Sequence, residues 1–198
     1  ECSWMRGAWP VEAQASGGRH TRGNSLDQNL DSYSVEYTYP DGTKLFYYGR
    51  AMSGCKGAFS SYALGTKGSA VISTNSHYPG KVRTYKSHNM NIDNLIWRFP
   101  QPEPNPYQLE WDDLIDAIRN DKPYNEVKRG AEASLVNTMG RMAAHTGQVI
   151  TFEKALNCKH EFAPGLDKLT EDSPAPLLLN SDGKYPVPQP GILKDREY

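Results

Sequence analysis

An α+β fold, with a large, mostly antiparallel open sheet and helices packed on one face, follows from three features of this 198-residue chain. Aromatic and β-branched runs fill the first half and are joined by short connections, whereas parallel strands need crossovers of about a dozen residues or more. The proline-punctuated stretch from Pro100 to Pro106 then marks a change from a two-residue to a 3.6-residue hydrophobic period. Beyond Glu161 the periodicity stops, and Pro164, Pro174, Pro176, Pro186, Pro188 and Pro190 dominate an extended arm.

Val11 to Ser16 alternates apolar and polar residues and breaks at Gly17-Gly18, where a bulge or a close backbone approach is expected. Tyr33 to Tyr39 and Lys44 to Tyr48 flank Pro40-Asp41-Gly42-Thr43, a strong hairpin signal. Phe59 to Leu64 and Ser69 to Thr74 flank Gly65-Thr66-Lys67-Gly68, and Lys81 to Lys86 and Asn94 to Phe99 complete about seven strands. Asn105 then serves as N-cap, Pro106 suits the first helical position, and Gln108 sits where a capping box places Glu or Gln. Trp111, Leu114, Ile115 and Ile118 share one face of that helix, and the bottom-up reading puts Trp111 in the core. A second helix runs from about Glu126 to His145, with Val127, Ala131, Leu135, Met139 and Met142 at helical spacing and Gly147 just past its end. Its alanines and Gly140 make it slim enough to pack closely on a sheet. Thr151 caps a short third helix through Asn157. The domain reading is therefore residues 1–163 as one sheet-and-helix domain and 164–198 as a Pro-rich tail that lies over another surface or is mobile.

Composition narrows the function. The 22 Lys plus Arg and 23 Asp plus Glu give a net charge of −1, so there is no electrostatic reason to expect nucleic acid or an anionic membrane as a partner. No apolar run approaches the ~20 residues of a membrane span. Cys2, Cys55 and Cys158 form no C-x-x-C pair, and the five histidines lack metal-ligand spacing. No G-x-S-x-G elbow and no G-x-G-x-x-G turn is present, so neither a serine hydrolase nor dinucleotide binding by this chain alone is indicated. The sheet has one face that helices do not cover. Basic and aromatic residues cluster on the strands, which fits a subunit interface first and a polyol site second. Arg19, His20, Tyr48 and Arg50 are the candidate substrate contacts, from strand placement.

The run from Asp121 to Glu126 (DKPYNE), with AIRND overlapping its start and ASLVNTMGRMAAHTGQVITFEKAL after it, closely resembles the Gfo/Idh/MocA oxidoreductases. The stretches PVEAQASGGR, VEYTYPDGTKLF and ALGTKGSA look like the first strands of that family's C-terminal domain. The resemblance covers roughly residues 1–161, and the likeness is nearest to a bacterial subgroup with a Pro-rich C-terminal tail. It implies a two-domain enzyme whose N-terminal Rossmann domain binds NAD or NADP and carries a Lys in an E-K-P motif. The family's catalytic His lies in an H-N-x-D segment, and Glu1-Cys2-Ser3-Trp4 looks like what would follow it. With no initiator Met or signal peptide, the chain reads as a piece of that longer protein, so no catalytic, cofactor-binding or metal residue is carried onto it. Where relatives commonly read Glu-His, this chain has Glu110-Trp111, which weakens any polar role at position 111.

The resemblance thus implies the substrate-binding and oligomerisation domain of an oxidoreductase acting on a sugar, cyclitol or related polyol, inactive by itself. Its implied partners are a sugar-like substrate, the Rossmann domain and further copies in a homodimer or homotetramer formed through the open sheet face. The compartment, bacterial cytoplasm or periplasm, is left open. The alternatives are a non-catalytic carbohydrate-binding or self-association module, or part of an NAD-dependent glycoside-cleaving relative.

Overall fold

The computed structural model describes residues 1–23, 25–74 and 81–198, so His77 lies outside the described residues. In chain order the first elements are α1 (Cys2–Arg6), β1 (Glu12–Gly18), β2 (Ser32–Thr38), β3 (Lys44–Arg50), β4 (Ser60–Gly65) and β5 (Gly68–Thr74). They continue with β6 (Arg83–Tyr85), β7 (Leu95–Arg98), α2 (Pro106–Arg119), α3 (Val127–Thr146), β8 (Ile150–Thr151) and α4 (Phe152–Leu156). The α+β class and the antiparallel pairing are those expected from the sequence. The strands are shared between two four-stranded sheets, ordered β3-β2-β1-β8 and β4-β5-β6-β7. The division falls in the irregular chain between β3 and β4. It also matches two compact units, residues 1–7 with 55–128 and residues 8–54 with 129–198.

In the second of these units, β1 pairs with β2 along its whole length, from Glu12 opposite Thr38 to Gly18 opposite Ser32. No register shift occurs at Gly17-Gly18. The glycines mark a close approach instead, because a Cβ on Gly17 would lie 2.6 Å from Leu30 Cδ1 and 2.9 Å from the Ser32 carbonyl oxygen. The Pro-Asp-Gly turn closes the β2–β3 hairpin, with Tyr39 N donating to Thr43 O and Gly42 at φ 81°. One sheet face packs on α3: Ala13, Val35 and Tyr37 meet Val136, Met139, Met142 and Ala143, with Ile150 and Ala155 completing the core. Met139 and Ile150 are fully buried, each worth roughly 1.5–3 kcal/mol by area. The helical stripe is buried only from Val136 onward; Val127 and Ala131 are exposed. Gly147, at φ 67°, ends the helix, and its N–H donates to Ala143 O.

The Pro-rich arm belongs to this unit and lies over it. Lys184 Nζ donates to Gly23 O, Gln28 Nε2 donates to Pro186 O, and Gly191 N donates to Thr146 O. The short strand β8, unmarked in the sequence by any run of its own, extends the sheet by pairing Ile150 with Ala13.

In the other unit, β4 and β5 form a hairpin about Thr66-Lys67, and Val71, Ile72, Ser73 and Tyr85 are buried. Irregularities fall at Ser61/Tyr62 and Thr84/Tyr85. Helix α2 starts as its sequence dictates: Asn105 Oδ1 accepts from Tyr107 N at 3.0 Å, with Pro106 in the first turn. Its apolar stripe corrects one expectation. Trp111 is 61% exposed rather than in the core, and only Ala117 of this helix is buried. A stripe at 3.6-residue spacing specifies an apolar face, not what covers it.

Helix α3 carries two glycines that separate these effects. A Cβ on Gly130 meets nothing within 4 Å, whereas one on Gly140 would collide with the Tyr37 hydroxyl. Gly130→Ala is expected to stabilise by about 0.5–1 kcal/mol through backbone entropy. Gly140→Ala is expected to destabilise by about 1–3 kcal/mol through overpacking. Urea unfolding of both variants checks the opposite signs.

Candidate functional site

The outward face of the β3-β2-β1-β8 sheet is set by strict alternation. Ala13, Val35 and Tyr37 point to α3, so Gln14 and Ser16 of β1, Ser34 and Glu36 of β2, and Phe46 and Tyr48 of β3 point away. Cross-strand register places Tyr48 opposite Ser34, Phe46 opposite Glu36, and Arg50 opposite Ser32. Tyr48 is 75% and Phe46 55% exposed, so two aromatic rings stand on this face uncovered. Together with Gln148 and Val149 beyond α3, these residues line an open groove of about 420 Å³. Lys44 Nζ pairs with Glu36 at 2.8 Å and donates to Thr38 Oγ1, fixing the charge at one end. The chemistry on offer is hydroxyl, amide and carboxylate groups beside aromatic faces, which suits a hydroxyl-rich ligand or another protein surface.

The four residues singled out from sequence divide between two settings. Tyr48 lines the groove, and Arg50 stands at the end of the same strand. His20 reaches that end through its Nε2, 3.0 Å from Ser32 Oγ, so His20 and Arg50 flank Ser32. Arg19 is committed elsewhere: its guanidinium donates to the carbonyls of Asn29, Arg22 and Ser25 and pairs with Asp27, tying together the loop between β1 and β2. Phe46, Gln14, Ser16 and Ser34 were not singled out. Their signal was the two-residue alternation read for its polar members rather than its apolar ones.

The loop that carries His20 depends on Asp31. Its carboxylate is 1% exposed and accepts from His20 N, Thr21 N at 2.7 Å and Thr21 Oγ1. Burial alone would raise its pKa, but these donors outweigh burial and lower it from 3.8 to about 2. A depressed carboxylate pKa gives stability that is present above the ordinary value and is lost as pH falls from 3.8 towards about 2. Asp31→Asn is therefore expected to lower the urea midpoint at neutral pH and to flatten its fall across that acid window. An unchanged neutral midpoint would contradict the assignment.

A second polar cluster lies under the arm. His145 Nδ1 is 2.6 Å from Glu197 Oε2, Arg141 donates to both Glu197 oxygens at 3.0 Å, and the Tyr33 hydroxyl is 3.0 Å from His145 Nε2. His145 and Glu197 are both buried. Burial pushes the Glu197 carboxyl up, but His145 and the Arg141 guanidinium outweigh it and hold the group below the usual carboxylate range. Glu197→Ala takes the acceptor from Arg141 and leaves the buried His145 ring without its neighbour; it is expected to cost about 1–3 kcal/mol and to open the arm to proteolysis after Glu161, as read by limited digestion and mass spectrometry.

Among the described residues, no three His, Cys, Asp or Glu side chains are grouped to hold a metal ion. The three cysteines are free thiols, Cys2 half-buried and Cys55 and Cys158 exposed. No helix among them is long and apolar enough to cross a membrane.

No protein-family model and no curated protein matches the chain. Solved structures do. The chain is similar to an aldose-aldose oxidoreductase from Caulobacter crescentus, solved with glycerol, at TM-score 0.56 and 17% identity over 76% of this chain and 43% of that one. It is similar to a putative oxidoreductase from Thermotoga maritima at TM-score 0.52 and 13% identity, over 75% of this chain and 42% of that one. An NAD-binding protein from Listeria innocua matches at TM-score 0.44 and 14% identity. The likeness to the Caulobacter and Thermotoga oxidoreductases is one of fold, and it agrees with the oxidoreductase resemblance read from the sequence. The chain spans less than half the length of the oxidoreductases it resembles.

Proposed function

We propose that this chain is the substrate-side and assembly domain of a nicotinamide-dependent oxidoreductase acting on a sugar, cyclitol or related polyol. The observation that carries this reading is the uncovered sheet face, with Phe46 and Tyr48 exposed among Ser16, Ser34, Gln14 and Glu36. A hydrogen-bonding surface with aromatic platforms suits hydroxyl-rich ligands, and exposed aromatics suit a self-complementary interface. The oxidoreductase fold likeness supports it, as does the glycerol, itself a polyol, held by the Caulobacter protein.

The residues present do not fit NAD or NADP. Among the described residues, every strand pair is antiparallel and no glycine-rich turn leads from a strand into a helix, so they do not form the phosphate cradle of a dinucleotide fold. In the whole enzyme proposed, a separate Rossmann domain would hold the cofactor and supply hydride transfer. This chain's own contribution is to bind and orient hydroxyls and to join subunits.

Sedimentation velocity and cofactor titration of the 198-residue chain test this reading. Self-association is expected and should be lost in Phe46→Asp/Tyr48→Asp, with no NAD or NADP binding. Micromolar cofactor binding, or a monomer at all concentrations, would overturn it. Tight binding of glucose or inositol by a monomer would favour the carbohydrate-binding module instead.

A further inference from the structure

We propose that a groove between α3, α4 and the returning arm binds a small phosphate-bearing anion. The groove has a volume of about 350 Å³ and lies beside the Glu197 cluster. Five cationic side chains line it: Arg141 from α3, Lys154 from α4, Lys159 just beyond, and Lys194 and Arg196 from the arm. Only two anionic residues, Asp195 and Glu197, line it with them. Three separated stretches of chain thus bring positive charge to one place in a protein whose net charge is −1.

The internal pairing leaves most of that charge unmatched. Glu197 is already held by Arg141 and His145. Arg141 is further fixed by stacking over the Phe162 ring, 4.7 Å from its centroid. Among the described residues, no salt bridge is formed by Lys154, Lys159, Lys194 or Arg196, and Asp195 is the other acidic residue that lines the groove. Four cations converging on one groove repel one another, and an anion bound among them relieves that repulsion. His160 also lines the groove, its ring packed edge-on against Phe162 and Tyr198.

Phosphate fits this arrangement better than a carboxylate. It offers three strong acceptor oxygens and close to two charges to donors arriving from several directions. The volume falls in the usual range for small-molecule sites, roughly 300–1,000 Å³. The site is separate from the sheet face, so it stands whether or not that face binds polyol.

Calorimetric titration of the 198-residue chain with inorganic pyrophosphate, a hexose phosphate and unphosphorylated glucose tests the proposal. Both phosphates are expected to bind, glucose is not, and affinity should fall with added salt. The tighter of the two phosphates identifies the source, free polyphosphate or phosphorylated sugar. Lys194→Glu/Arg196→Glu is expected to weaken binding about tenfold or more. Lys154→Gln/Lys159→Gln, on different chain segments, should give a loss of the same direction with the arm left in place. Phosphates binding no better than glucose, or both double variants titrating like the parent, would overturn it.

Discussion

The close approach of α3 to the β3-β2-β1-β8 sheet is the constraint on which this part of the molecule depends. The helix meets the sheet through Gly140, Ala143 and Ala144, and a Cβ at Gly140 would collide with the Tyr37 hydroxyl. Strand β1, in the interior of the sheet, answers with small side chains on the same side: Ala13, Ala15 and Gly17. The bulk sits on β2 and on the helix, where Val35, Tyr37 and Met139 are buried in the same cluster. Burial in that seam pushes the Tyr37 phenol up to about 12, so it stays neutral throughout the ordinary pH range. Small against small brings the backbones together, and large residues beside them fill the remaining volume.

Because the alternation of a strand has period two, fixing one face fixes the other. Once Ala13, Val35 and Tyr37 are turned to α3, Gln14, Ser16, Ser34 and Glu36 must face outward, and so must Phe46 and Tyr48 through the hairpin register. The core therefore decides the composition of the candidate site, although no core residue touches it. Asp31 plays the corresponding part at the end of the sheet, where its buried carboxylate holds the backbone of His20 and Thr21.

Legibility in the sequence followed the range of the interactions. The Pro-Asp-Gly hairpin, the Asn105 cap and the Gly147 stop are local chemistry, and each was readable within a few residues. The division into two sheets was not, because it rests on β3 and β4 failing to pair across a long irregular connection. Strand β8 was hidden for a similar reason: two residues carry no period, and only pairing with Ala13 makes them a strand. At the candidate site, Tyr48 and Arg50 were readable as strand residues, whereas Arg19 looked available and is taken up by carbonyls of a loop with no sequence signature. Trp111 shows the limit of periodicity, since spacing alone does not say whether an apolar face is covered.

The arm extends this argument to a segment with no period at all. Six prolines give it stiffness and remove donors, and beyond a single 3-10 turn at Leu166–Lys168 its described residues form no helix or strand. What holds it is a set of contacts scattered along its length, and the strongest is electrostatic. Glu197 is carried into a buried position where His145 and Arg141 already wait at the end of α3. A buried carboxylate is unfavourable alone and becomes tolerable only where both partners are present, so the pairing selects one place for the arm more sharply than its few apolar contacts do. The same selection sets Lys194 and Arg196 beside Lys154 and Lys159. A fold that neutralises one charge inside thereby gathers four others at its edge, and the anion-binding groove is a consequence of how the arm is held.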